Sequence, residues 1–240
     1  MGAYEGGLSM HSIIDAFQFI GDNLHFMLTK TLEHLALSGA AIAVSLVIAI
    51  PLGVTLGHVH KGSFLAINAA NIGRALPSLA IISIGIGILG IGFINVMVAM
   101  VVLAVPPMLT NAYVAVDGVD PDAVEAARAA GMSPAQVLWK VEVPLAVPLM
   151  FAGIRTGAVY VVATATLAAI AGGGGLGDVI VNQATYGTPG VIAGALAVTA
   201  LAFFVEGIFA VIQRLLTPRA LRQHEGVAEL LAPAPLIEGT

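Results

Sequence analysis

Cysteine is absent from the 240 residues, which excludes disulfide bonds and thiolate metal sites. Charged residues are also scarce: they make up 10% of the chain, against 58% for hydrophobic residues, whereas a soluble domain averages about 25% charged residues. The net charge is −5, and the few Lys and Arg residues form no cluster of the kind that binds nucleic acid. We therefore expect a membrane protein that binds no nucleic acid.

Several sequence motifs are missing as well. No GxxxxGK[ST] motif occurs, so the chain carries no phosphate cradle for ATP, and any energy source must be another subunit. Neither HExxH nor a Ser-His-Asp grouping is visible, so no enzyme activity, cofactor or metal site is expected. GxGxxG matches at residues 85–90 and 172–177, but neither follows a strand and opens a βαβ unit. The start, MGAYEGGLSMHS, lacks a basic segment before an apolar run, so no cleavable signal is expected.

One long polar stretch interrupts the apolar chain: residues 120–144, DPDAVEAARAAGMSPAQVLWKVEVP. Asp120 can cap a helix whose first residue is Pro121, and Gly131 can end it. Ser133 can cap a second helix, in which Gln136 completes a capping box. The stretch therefore predicts two short helices that meet at a glycine, each far too short to cross a bilayer.

Two interpretations of this stretch remain open from the residues alone. An amphipathic hairpin on the membrane surface is one, although the polar face has few basic residues and the opposite face is mostly alanine. A docking segment for a soluble partner is the other, because small alanine side chains allow a partner to approach the backbone closely.

The remaining apolar stretches predict one membrane domain with two flanking segments. Residues 12–30 have helical apolar spacing interrupted by charge, which is typical of an interfacial helix. We expect an N-terminal tail and interfacial helix over 1–32, a membrane domain over 33–216 and a polar, disordered tail over 217–240. Five membrane spans are predicted, at about 35–57, 65–90, 94–115, 144–171 and 191–216, with a polar loop at 119–143.

Prolines and glycines interrupt these spans. Pro77 and Ser78 should bend the second span. The glycine run at 172–177 should lie at the outer membrane face or line a cavity, either as a flexible turn or as part of an outer gate.

Ionisable residues near the spans are few. For Arg74 we favour a side chain that extends to the interface, and for Arg155 that role and a functional one stay open. Glu206 is expected to pair with a neighbour or to face a transport path. His25 and His34, near the predicted interfacial helix, are expected to be solvated or hydrogen-bonded rather than metal ligands.

The distribution of basic residues predicts the orientation of the chain. Five spans with the polar loop inside place Lys61, the loop itself and the basic C-terminal flank (Arg214, Arg219, Arg222) in the cytoplasm. Lys30 alone is expected outside.

The polar loop resembles the EAA loop of ABC-transporter permeases, in which EAA, three residues, Gly and nine residues precede Ile-x-Leu-Pro. Here Val replaces Ile and Leu. The resemblance implies coupling to a separate ATPase through Glu125, Ala126, Ala127, Gly131, Val141 and Pro144. In that family the loop is cytoplasmic and fits a cleft on the ATP-hydrolysing subunit.

Further motifs resemble the permeases of glycine betaine, choline and proline-betaine importers, over roughly residues 33–212. They are Asn71 with LPSLA at 76–80, PP at 106–107 with TNAY at 110–113, VPLAVP at 143–148, AGIRT at 152–156, and the run at 171–177. Methionine and sulfonate importers share the EAA loop and a glycine-rich run, so a different small solute is the alternative, and an ATP-independent carrier is a more distant one.

The resemblance implies an all-α membrane protein with the five-span, methionine-permease-like core of type I ABC importers. It further implies two ATPase subunits, a second permease subunit, identical or similar, and an extracellular substrate-binding protein at the bacterial plasma membrane. Candidate residues of the transport path or gate are Pro77, Ser78, Asn111, Gly174, Gly175 and Glu206.

Overall fold

A computed structural model describes residues 10–64, 66, 68, 71 and 75–217. Arg74, residues 1–9 and the tail from residue 218 onward lie outside these ranges, so the interpretations given to them stay predictions. Regular structure in the described residues is helical, with α-helical, 3₁₀ and π segments.

The first two helices meet at Asn23. Helix α1 (Met10–Asp22) is followed directly by the long helix α2 (Leu24–His58). The backbone of Asn23 departs from helical geometry, and its side-chain amide donates to the carbonyl of Phe19 at 3.0 Å. Helix α1 therefore ends before residue 30, the predicted end of the interfacial helix, and residues 24–30 form the first turns of α2, because no proline or glycine stops the helix between Leu24 and Leu35.

The other α-helices follow in chain order: α3 (Ser78–Leu89), α4 (Phe93–Asp117), α5 (Pro121–Ala129), α6 (Pro134–Val137), α7 (Val143–Thr164), α8 (Leu176–Val181) and α9 (Gln183–Leu216). A π-helical turn, Leu138–Glu142, joins α6 to α7, and a 3₁₀ helix, Ala165–Ala171, extends α7. Helix α9 contains a kink at Gly187, whose φ is 65°.

Four helical segments in the described residues are long and apolar enough to cross a membrane: Leu24–His58, Phe93–Asp117, Pro134–Ala171 and Gln183–Leu216. Helix α3 is apolar but shorter, and part of the stretch before it lies outside the described residues. The predicted break at Pro77 is confirmed, since Pro77 has extended backbone and α3 begins at Ser78. The count of five spans stays a prediction.

The core forms where α4 packs between α2 and α7. Glycines permit the close contacts on both sides. A Cβ on Gly57 would lie 2.8 Å from the carbonyl oxygen of Tyr113, and a Cβ on Gly153 would lie 2.8 Å from that of Pro107. Helix α4 runs through Pro106 and Pro107 without interruption.

The first GxGxxG match lies in a helix, as expected for close packing in a membrane. Gly85 in α3 has no room for a Cβ because the side chain of Asn95 in α4 occupies that position. The amide of Asn95 donates to the carbonyl of Ile82 at 3.2 Å. This glycine therefore allows α3 and α4 to approach each other, and it has no part in a phosphate site.

Candidate functional site

The polar loop folds into the two short helices that its sequence predicts. The carboxylate of Asp120 accepts from the backbone N–H of Asp122 at 2.9 Å, and Pro121 opens α5. Ser133 and Gln136 form the predicted reciprocal capping box at the start of α6. Gly131 lies between the helices with a φ of 83°, a left-handed conformation that favours glycine.

A small apolar cluster holds the two short helices together. Val124, Ala127 and Val137 are its buried members, with Val141 packed beside them. We call residues 119–143 the docking segment. Its own side chains fill its interior.

The EAA residues divide between the interior and the surface of the docking segment. Glu125 and Ala126 are exposed, as is Gly131, whereas Ala127 is buried in the cluster. Val141 is half-buried in the π-helical turn, and Pro144 is half-buried in the first turn of α7. The exposed residues of α5 are therefore both small and charged: Ala126 and Ala129 lie among Asp122, Glu125 and Arg128.

A buried carboxylate at the end of the docking segment was not singled out by the sequence. The side chain of Glu142 is 1% exposed, and its Oε2 lies 2.6 Å from Nδ1 of His58, the last residue of α2. The other oxygen, Oε1, has no hydrogen-bond partner among the described residues. The docking segment is thus joined to the inner end of α2 by a polar contact.

At the opposite end of α2, charged side chains hold the glycine run. The Oε2 atom of Glu33 accepts from the backbone N–H of Gly175 at 3.1 Å. The ammonium of Lys30 lies 2.9 Å from Glu33 and 2.9 Å from Asp178 in α8. Gly174 is half-buried beside Glu33, and both glycines have positive φ. We call residues 172–178 the outer glycine segment.

The other candidate path residues do not share one site with these glycines. Pro77 is exposed and Ser78 is half-buried at the start of α3. Asn111 is half-buried between α4 and α7, where its amide donates to the carbonyl of Pro107 at 2.8 Å and its side chain packs against Gly153. The side chain of Asn111 is therefore engaged in helix packing.

Glu206 pairs with Arg155, which was one of the two expectations for it. The Nε of Arg155 in α7 lies 3.1 Å from Oε1 of Glu206 in α9, and both side chains are more than one third exposed. A cleft of about 410 Å³ runs beside the pair, between α7 and α9, and includes Val159, Phe203 and Glu206 in its lining.

The expectation for His34 was partly wrong. Its side chain is fully buried in α2 instead of lying near the surface, although it is hydrogen-bonded, through Nε2, to the carbonyl of Val162 at 3.0 Å. The reason is that α2 begins at Leu24, which carries His34 into the helix bundle. His25 is exposed, as expected.

The two ends of the bundle can be distinguished by these contacts. His58 brings the loop with Lys61 next to the docking segment, and the amide of Gln213 donates to the carbonyl of Pro148 at 2.9 Å. The end of α9, with Arg214, therefore lies on the same side as the docking segment. The outer glycine segment lies at the other end of α2.

Residues 45–221 match the family described as "Binding-protein-dependent transport system inner membrane component". The choline transport system permease protein OpuBB of Bacillus subtilis (strain 168) is 40% identical over 89% of this chain and 98% of its own length. The glycine betaine/carnitine/choline transport system permease protein OpuCB of the same strain is 40% identical over 88% of this chain and 97% of its own length.

Solved structures agree on the fold. An inward-facing structure of the MetNI methionine ABC transporter matches with a TM-score of 0.69 at 22% identity, covering 81% of this chain and 98% of that one. An amino acid ABC transporter crystallised with histidines matches with a TM-score of 0.61 at 15% identity, covering 87% of this chain and 99% of that one. The expected type I ABC importer permease fold is confirmed.

Proposed function

Because the chain belongs to the family of binding-protein-dependent transport system inner membrane components, we propose that it is the permease subunit of an ATP-driven importer of osmoprotectants. The solute is glycine betaine, choline or a related quaternary ammonium compound. The observation that carries this proposal is the 40% identity to the OpuBB and OpuCB permeases over nearly their whole length. The methionine transporter, at 22% identity, supports the fold alone.

The docking segment is the proposed contact with a separate ATPase. Its residues Glu125, Ala126, Ala127, Gly131, Val141 and Pro144 are those that the EAA motif assigns to coupling. The geometry supports this role, since α5 and α6 are capped and packed as one unit, and its exposed face carries small alanine side chains beside Asp122, Glu125 and Arg128. Two ATPase subunits would bind a pair of permease subunits, one at each docking segment.

Substrate affinity is proposed to reside mainly in an extracellular binding protein. Quaternary ammonium groups are bound by cages of Trp and Tyr, but the chain has one Trp and four Tyr. Trp139, which is 66% exposed, lies in the docking segment, away from the outer end. This permease then supplies the path through the membrane, between two permease subunits.

Path and gate residues follow from the same arrangement. Gly174 and Gly175 form part of the outer gate, and Glu206 lies beside the cleft between α7 and α9. Pro77 and Ser78 form the break before α3. Asn111 acts through helix packing, because its amide is already bonded within α4.

The test is uptake into proteoliposomes that contain the permease with its own ATPase and binding protein. We expect ATP-dependent accumulation of labelled glycine betaine or choline, and none of labelled methionine under the same conditions. Accumulation of methionine instead would overturn the solute class. Accumulation without ATP would overturn the ABC class in favour of a carrier.

A further inference from the structure

Helix α2 is long enough to join the two faces of the membrane. A rise of about 1.5 Å per residue places Lys30 about 42 Å from His58 along the helix axis, whereas the hydrocarbon core of a bilayer is about 30 Å thick. Each end of α2 carries a polar contact to another part of the chain. The two contacts are therefore farther apart along α2 than the hydrocarbon core is thick.

The inner contact binds the docking segment to α2. Glu142 is the last residue of the π-helical turn and lies within the EAA motif, between Val141 and Pro144. Its carboxylate is 1% exposed and meets His58 at 2.6 Å. Because a buried polar group that loses its hydrogen-bond partner is costly, separation of the docking segment from this end of α2 is unfavourable.

The outer contact binds α2 to the outer glycine segment. Glu33 accepts from the N–H of Gly175, and Lys30 lies between Glu33 and Asp178. A Cβ on Gly175 would lie 3.2 Å from the Cα of His34, so the segment rests directly on the backbone of α2. Movement of this end of α2 must shift the glycine segment with it.

The last two turns of α2 pack closely against α4, which limits bending in one direction although Pro51 and Thr55 both favour a bend. Pro51 removes one backbone hydrogen bond from the helix. The hydroxyl of Thr55 donates to the carbonyl of Pro51 at 2.7 Å. Cβ atoms on Gly53 and Gly57 would lie 2.7 and 2.8 Å from carbonyl oxygens of α4. This contact leaves the turns after Pro51 no space to bend towards α4.

We propose that α2 is a strut that carries movement of the docking segment to the outer glycine segment. Glu142 and His58 at one end, and Glu33 and Lys30 at the other, are the positioning residues that join it. The inference rests on the proposed function, because an ATPase at the docking segment supplies the movement.

If the pair formed by His58 and Glu142 only stabilised the fold, replacing it would have a different effect on transport from the one that the strut predicts. Replacing both members of a buried hydrogen-bonded pair by apolar residues of similar shape can be nearly neutral or stabilising. The double variant His58→Leu with Glu142→Leu should therefore fold and still bind the ATPase. If the pair is a strut contact, the variant should hydrolyse ATP without moving the outer segment.

The reporter is a single thiol at the outer end of the molecule. The chain has no cysteine, and Ala184 is exposed in the first turn of α9, so Ala184→Cys gives one labelling site on this subunit. The complete transporter is reconstituted in proteoliposomes, with and without ATP and vanadate enclosed inside them, and a membrane-impermeant maleimide is added outside, where the thiol of the energised molecules is accessible. Uptake of labelled glycine betaine and ATP hydrolysis are measured on the same preparations.

In the parent Ala184→Cys transporter, labelling should change on addition of ATP and vanadate. In the double Leu variant the labelling change should disappear while ATP hydrolysis continues. Uptake should fall about tenfold, which is the size of effect expected from losing the coupling between two sites. The single variant Glu142→Gln, which can still bond to His58, should retain at least part of both responses.

His60→Asn is the matched control. His60 lies 2.9 Å from Asp117 in an exposed pair on the same side, and its φ of 51° suits Asn. This variant should behave as the parent protein does. Parent-like labelling and uptake in the double Leu variant would overturn the strut.

Two further outcomes are decisive. If the double Leu variant does not assemble with the ATPase, Glu33→Leu tests the outer contact while the docking segment stays intact. Loss of the ATP-dependent labelling change in this variant supports the strut. An unchanged labelling response refutes it. If the parent transporter itself shows no ATP-driven uptake, the proposed function fails, and the strut fails with it.

Discussion

At the scale of single residues, Gly131 is a position where backbone conformation, and not lack of space, restricts which residue can occur. Its φ is 83°, and a Cβ placed there would meet nothing within 4 Å. Space is therefore available for a side chain, and the left-handed backbone alone restricts the residue. Asn tolerates this conformation far better than a β-branched residue does.

Two substitutions at Gly131 should differ sharply for this reason. Gly131→Asn should keep ATP-driven uptake close to that of the unchanged protein. Gly131→Val should impose about 1–3 kcal/mol of backbone strain, displace α6 relative to α5 and lower uptake several-fold. Uptake and co-purification of the ATPase measure both effects, and equal activity of the two variants would contradict a coupling role for this backbone geometry.

Local patterns predicted some functional residues and missed others. Asp120, Ser133 and Gln136 were predicted correctly because capping joins residues two or three positions apart. His58 and Glu142 are 84 positions apart, and no periodicity links them. The sequence offered one indication that Glu142 is special: it is an acidic residue among the apolar residues that precede Pro144.

At the scale of elements, α4 and α7 approach each other through Gly153. A Cβ on Gly153 would collide with Asn111 and would lie 2.8 Å from the carbonyl oxygen of Pro107. The obstacle includes backbone, so a flexible side chain cannot simply move away. Gly87 in α3 is a suitable comparison, since a Cβ there would meet nothing within 4 Å.

Gly153→Ala should therefore lower the thermal midpoint of the purified permease, at a cost of about 1–3 kcal/mol for overpacking. Gly87→Ala should leave the midpoint unchanged or raise it, because glycine within a helix is destabilising by about 0.5–1 kcal/mol relative to alanine. Thermal unfolding in the same detergent checks both. A Gly153→Ala protein as stable as Gly87→Ala would contradict the close contact of α4 and α7.

Helix boundaries were less predictable than helix identity. Hydropathy located the apolar middle of α2, but Asp22, Asn23 and Lys30 made its first turns resemble the end of an interfacial segment. The charge of Lys30 is accommodated because Asp178 lies 2.9 Å from its ammonium. A tertiary contact of this kind leaves no trace in local hydropathy.

At the scale of the whole molecule, the structure and the distribution of charge agree on one polarity. The loop with Lys61, the docking segment and Arg214 lie at one end of the bundle, and Lys30 and the outer glycine segment lie at the other. Basic residues favour the cytoplasmic side. The docking segment should therefore face the cytoplasm.

Two single cysteines test this polarity without native thiols to interfere. Trp139→Cys, at a 66% exposed position, should react with an impermeant maleimide only in inverted membrane vesicles. Ala184→Cys should react in intact spheroplasts. Labelling of Trp139→Cys from outside would reverse the orientation and remove the docking segment from the reach of any cytoplasmic ATPase.

Composition and motif spacing were enough to predict a helical membrane protein and its fold family, because both depend on features spread along the chain. The placement of α1 was not predictable in the same way. It packs against α9, partly through Phe19, whose ring meets that of Tyr186 edge-on at a centroid distance of 6.3 Å. Such a contact joins the two ends of the chain and follows from no local pattern.

The pair formed by Arg155 and Glu206 has an electrical consequence. One elementary charge that crosses the membrane field gains about 2.3 kcal/mol per 100 mV, so a lone arginine on α7 would make any shift of that helix dependent on voltage. The carboxylate 3.1 Å away balances that charge for as long as the pair stays intact. Rearrangement of α7 and α9 as a unit thus transfers no net charge through this pair, and the membrane voltage neither drives nor opposes it there.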